Sequence, residues 1–131
     1  IFDSDNGVST AVYLGETSSD YVNLYTQYGS YYRVTSKGSD VVTGNIVLNT
    51  GGDISDVSKV AGSWKNNKGF DAARDGTLGS GSSNFEPLTS GPTGLHIGSR
   101  YGAASYLNGH IKSIQYYPRR LTNAQLQELT T

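Results

Sequence analysis

Turn signals divide this chain into short runs, which leaves little room for long helices and much for short strands. They are Asp5-Asn6-Gly7, Tyr28-Gly29, Lys37-Gly38, Gly51-Gly52, Asp75-Gly76 and Asn108-Gly109. Asn-Gly and Asp-Gly suit hairpins because both central residues of a type I′ turn need positive φ, which Gly and Asn tolerate. Seventeen glycines and ten tyrosines in 131 residues agree with many strands joined by tight turns.

Between these breaks, strands are predicted over 1–4, 10–14, 20–27, 31–36, 41–48, 57–64, 69–74, 94–99 and 110–117. Residues 79–93, rich in Gly and Ser, read as a polar connection. Period-2 alternation marks antiparallel sheets with one buried face. Val22 and Leu24 fall on one side of their strand, with Tyr21, Asn23 and Tyr25 on the other. Val60 shares a face with Trp64, the only tryptophan. The alternation in 110–117 is less clean. Buried positions are expected at Leu24, Val34, Val60, Trp64, Ile97, Leu107 and Ile111.

One helix is signalled at the end. The Thr122 hydroxyl can cap free first-turn amides, Gln125 completes a capping box, and Leu121 and Leu126 form a hydrophobic staple. Leu126 and Leu129 are expected to pack against the sandwich edge. The class is therefore all-β: an antiparallel β-sandwich with a short C-terminal helix, in one domain spanning 1–131. The chain opens on Ile1 within a strand-like run, so it is expected to be a piece of something longer.

Composition narrows the function. Formal charge is −1, so no basic footprint for nucleic acid or an anionic membrane is present. No apolar run is long enough for a membrane-spanning helix. There is no cysteine, hence no disulfide and no thiolate metal site.

Two segments carry a family resemblance. One is Asp56-Val57-Ser58-Lys59-Val60-Ala61-Gly62-Ser63-Trp64-Lys65, followed by Gly69-Phe70-Asp71-Ala72-Ala73-Arg74-Asp75-Gly76. The other runs from Gly94-Leu95-His96-Ile97-Gly98-Ser99-Arg100, through Asn108-Gly109-His110-Ile111, to Tyr116-Tyr117-Pro118-Arg119-Arg120-Leu121-Thr122. Together they resemble the laminin-G-like, concanavalin-A-like jelly rolls, most of all those carried by bacteriophage virion proteins such as tail fibres, spikes or capsid appendages. The upstream strand that usually opens that domain is missing here.

That resemblance implies a jelly roll that binds rather than reacts. It implies a virion or extracellular location, and partners that are cell-surface glycan or other virion subunits, with oligomerisation through the parent protein. A second reading is a docking or capsid-decoration module without sugar binding. A third is a glycan hydrolase. Hydrolases on this sandwich resemble one another in a Glu-x-Asp-x-x-Glu strand, whose carboxylates act as nucleophile and acid/base. Glu16, Glu86 and Glu128 are the only glutamates and none sits in that pattern. The chain is read as non-enzymatic.

No cofactor is expected, with calcium the one metal to weigh. Asp3-Ser4-Asp5-Asn6-Gly7 opens like a calcium loop, but Leu14 occupies the position where a bidentate Glu is needed. The calcium candidates are Asp3, Asp5 and Asp53; a capped β-turn explains the first two equally well. His96 and His110 have no cysteine or His-x-His partner.

Tyrosines are the best functional clue. Tyr21, Tyr25, Tyr28, Tyr31 and Tyr32 cluster around one hairpin, where cross-strand packing accounts for them. Tyr101 and Tyr106 sit in a polar loop with Arg100 and Asn108, and these four are the candidate ligand-binding residues. Stacking on a tyrosine ring brings large area at little entropic cost, while guanidinium and amide hold hydroxyls.

Overall fold

The computed structural model describes residues 8–15, 19–27, 31–38, 41–49, 57–65, 69–82, 92–101, 105–107 and 109–131. Its elements are β1 (Val8–Leu14), β2 (Tyr21–Gln27), β3 (Tyr31–Gly38), β4 (Val41–Asn49), β5 (Val60–Lys65), β6 (Gly69–Arg74), β7 (Thr77–Leu78), β8 (Ser80–Ser82), β9 (Leu95–Ile97) and α1 (Asn123–Thr130). The expected strand over 1–4 lies outside the described residues.

All pairing is antiparallel. Six strands form one sheet in the order β8-β4-β3-β2-β1-β9, and three form the other, β5-β6-β7. The fold is a β-sandwich with one short C-terminal helix.

Alternation explains the core. Register aligns Val12, Leu24, Val34 and Ile46 across four strands, and Leu14, Val22, Ser36 and Gly44 beside them. Val22, Val34, Ile46 and Leu48 meet Phe70 and Ala72 of the smaller sheet in one buried cluster. The sheets approach closely where side chains vanish. A Cβ on Gly44 would stand 2.7 Å from Cδ1 of Phe70, so that ring rests on bare backbone. Trp64 and Val60 face this core together, but both are half-buried at its rim, as is Leu24.

β6 and β7 are joined by the predicted turn. Arg74 pairs with Thr77, and Asp75 (φ 45°) and Gly76 (φ 75°) both take positive φ, the type I′ signature. The capping box is also present: the Gln125 amide donates to the Thr122 hydroxyl, and the Thr122 amide donates to Oε1 of Gln125 at 3.0 Å.

The helix lies on the outer face of the smaller sheet, not at the sandwich edge. Leu121 and Leu126 are buried against Ala73 with Ala61 beside them, while Leu129 remains 40% exposed. Thr130 takes the inward position expected for Leu129, one turn beyond Leu126. Its hydroxyl donates to the Leu126 carbonyl and accepts from the Gly76 amide. Ser63 Oγ accepts from the Leu121 amide and donates to its carbonyl, and Arg120 pairs with Asp71.

Further expectations fail. Residues 110–117 form no strand; they run outside both sheets, with Ile111 and Ile114 exposed. These two isoleucines fall on opposite sides of an extended chain, so no single apolar side exists to bury. Ile97 is 55% exposed because β9 is an edge strand, whereas the smaller sheet packs over β3 and β4. Leu107 is only half-buried. Residues 79–93 are not all connection either, since Ser80–Ser82 pairs with β4 as an edge strand.

Candidate functional site

The face of the larger sheet turned away from the core carries most of that sheet's aromatic side chains. Tyr13 pairs with Asn23 on one side and His96 on the other, which places all three on this outer face. The Tyr13 and Tyr21 rings lie 5.0 Å apart, Tyr13 meets His96 edge-on at 6.0 Å, and His96 meets Tyr101 edge-on at 6.5 Å. A continuous line of four rings thus runs from the middle of the sheet to the loop after β9. Such tilted and edge-on geometries satisfy the ring quadrupoles and fix each ring against its neighbour.

Backbone bonds pin that loop to β1. The Gly98 amide donates to the Ala11 carbonyl at 2.9 Å, Thr10 to Ser105 at 2.9 Å, and Leu107 to Gly98 at 2.8 Å. Residues 98–107 are therefore closed at their base, as a loop must be to present side chains in fixed directions. Ser105 holds φ 53° within it, a left-handed conformation that costs a residue with a Cβ on the order of 1 kcal/mol.

Of the candidate ligand residues, Tyr101 and Tyr106 are 45% and 58% exposed, and Arg100 is half-buried. Tyr101 is held by His96; Tyr106 points to solvent rather than folding inward beside Leu107. Asn108 lies outside the described residues, as do the calcium candidates Asp3, Asp5 and Asp53, and Glu16 and Glu86. Glu128 is exposed on α1. Among the described residues, no three of His, Cys, Asp or Glu cluster as a metal site would require. His110 is exposed, while His96 sits within the ring line.

Sequence reasoning missed Tyr13, Tyr21 and His96 as parts of this arrangement. The signal for Tyr21 was present in the alternation of β2. Tyr13 and His96 meet only through β1–β9 pairing, which no local pattern announces. The hairpin tyrosines also separate: Gln27 pairs with Tyr31, so Tyr25 shares the outer face with Arg33 while Tyr32 faces the core. There Arg74 lies 5.0 Å above the Tyr32 ring.

Tyr13 is fully buried, and burial pushes its phenol up to about 12 from 10.0. The charge of Arg100, with a hydrogen bond to the phenol, opposes this without overcoming it. The unfolded chain therefore releases this proton first. Tyr13 contributes stability that is present below pH 10 and is lost as pH rises towards about 12. In urea titrations across that range, the wild-type midpoint should fall more steeply than that of Tyr13→Phe. Parallel curves would show that the phenol is not desolvated.

No family model matches this chain, and no curated protein or solved structure matches it either.

Proposed function

We propose that this β-sandwich is a non-enzymatic carbohydrate-binding module of the laminin-G-like, jelly-roll kind, serving recognition of cell-surface glycan by a phage virion protein. The observation that carries the sugar reading is the ring line ending in Tyr101. A half-exposed tyrosine, braced by His96 and Tyr13 and flanked by Arg100, offers a stacking face whose ordering cost is already met. The fixed base of the 98–107 loop supports this, because stacking rewards only rings held in place.

A glycan array, run with and without Ca²⁺, identifies the ligand. Tyr101→Ala/Tyr106→Ala should then weaken the best hit by about tenfold or more while leaving the melting temperature within a few degrees. Unchanged affinity in the folded variant removes the loop from the site.

A second reading, docking onto other virion subunits, has its own support. Ile111, Ile114, Tyr116 and Tyr117 are exposed in one segment, and Leu95 and Ile97 are exposed on edge strand β9. Exposed apolar side chains of this number suit protein contact.

A further inference from the structure

The two sheets are unequal, and the difference leaves part of the core side open. The Phe70 ring of β6 rests on Gly44 of β4, and Gly62 of β5 stands against Val34 of β3, where a Cβ would come within 3.2 Å of Cγ1. β5 is the outermost strand of the smaller sheet, so that sheet ends above β3. β2, β1 and β9 continue beyond it with no strand of the smaller sheet above them. Register gives their core-side residues: Leu24 aligns with Val12 and Ile97, and Val22 with Leu14 and Leu95. Val12, Leu14 and Leu24 are only half-buried, and Leu95 and Ile97 are exposed.

The border of β5 is ready for another strand. The Asp75 amide donates to the Lys59 carbonyl at 3.0 Å, so by alternation Ala61–Ala73 and Ser63–Asp71 are the hydrogen-bonded pairs of the β5–β6 ladder. The amides and carbonyls of Val60, Gly62 and Trp64 point the other way, where no strand lies among the described residues. An edge of this kind is a template for pairing.

One segment is placed to meet both needs. It is tied at one border of the open face by the Leu107 amide, which donates to the Gly98 carbonyl after β9. At the other border the Leu121–Ser63 bonds hold it to β5. Between these ties, every residue from Gly109 to Arg119 is exposed. Ile111 spoils the alternation of the whole run, but 113–117 alternates cleanly. Ile114 and Tyr116 fall on one side, and Ser113, Gln115 and Tyr117 on the other. The Tyr117 hydroxyl donates to Oε1 of Gln115 at 3.0 Å, as neighbours on one side of an extended chain can. Pro118 keeps Tyr117 extended and, lacking an amide, ends any ladder there. Four residues take the chain from Tyr117 to Leu121, a reach of about 14 Å, so the segment stays close to β5.

We propose that 113–117 is a strap that closes on the edge of β5 as a fourth strand of the smaller sheet, with Ile114 and Tyr116 turned inward over Leu24, Val12 and Leu14. Neighbouring strands lie about 4.8 Å apart, so a strand beyond β5 falls above β2, the neighbour of β3 in the sheet below. Closure withdraws Ile114 and Tyr116 from the surface that the docking reading uses. It is independent of the sugar reading.

Amide hydrogen exchange and NOE spectra of the whole chain test the strap. Amides of Val60, Gly62 and Trp64 should exchange about a hundredfold or more slower than free amides, with cross-strand NOEs to 113–117. Ile114→Ser should speed exchange at those three amides about tenfold or more, and Ile111→Ser should not. Protection of β2–β4, unchanged in both variants, verifies that they fold. Free-amide rates at the β5 edge overturn the inference, as does protection that Ile114→Ser leaves untouched. Protection that rises with protein concentration, alongside a dimer in sedimentation, also overturns it, because the neighbour is then a second copy. If Ile114→Ser does not fold, the wild-type NOEs decide alone: their presence upholds the strap and their absence overturns it.

Discussion

Phe70→Ala should lower the unfolding free energy by about 3–5 kcal/mol. Phe70 is fully buried at the centre of the sandwich, among Val22, Val34, Ile46, Leu48 and Ala72. Its ring lies over Gly44, where a Cβ would meet it at 2.7 Å, so no side chain beneath can move in to fill the space. The cost is therefore expected near the upper end for a large-to-small change, because collapse is what usually softens it. For a domain of ordinary stability, about 5–15 kcal/mol in all, this is a large fraction. Urea denaturation at pH 7 checks it. A loss below about 1 kcal/mol would mean that the two sheets are not packed through this ring.

Leu126→Ala should cost about 2–4 kcal/mol, and its effect should be local. Leu126 is fully buried, yet on the opposite side of β6 from Phe70, against Ala73 and Leu121. An eight-residue helix has no stability of its own, so it persists only while that contact holds. Its loss also undoes the tie between Gly76 and Thr130, where the amide donates to the hydroxyl at 3.0 Å. Hydrogen exchange should therefore accelerate in 123–131 and at Gly76, while β2–β4 stay protected. Uniform acceleration across the chain would instead show that the helix and sandwich unfold as one unit.

Those two layers differ in how openly the sequence displays them. Helix start, staple and cap were legible because each rests on residues within a few positions: Thr122 with Gln125, Leu121 with Leu126. The Asp75-Gly76 turn was legible for the same reason, and β2 to β6 were readable from alternation between breaks. Long-range pairing was not. Ile97 looks like a core residue until β9 proves to be an edge strand, and 110–117 looks like a strand until no edge receives it. Alternation states that a segment is able to pair, not that a partner is there.

The candidate site shows the same division. Tyr101, Tyr106 and Arg100 were found because they stand close together in sequence. Tyr13 looked like one more strand tyrosine, and Asn23 and Asn45 like ordinary solvent-side polar residues. Only register brings these three into one row beside His96.

In the proposed function, the ligand meets the protein at the ring line that ends in Tyr101 and at the loop after β9. Amide chemical-shift mapping during titration with the tightest-binding glycan tests it most directly. The largest shifts should fall on His96, Arg100, Tyr101 and the outer-face positions of β1 to β3, with β5, β6 and α1 unmoved. Shifts concentrated in 110–117, or spread along β5, would contradict this and place the contact elsewhere on the molecule.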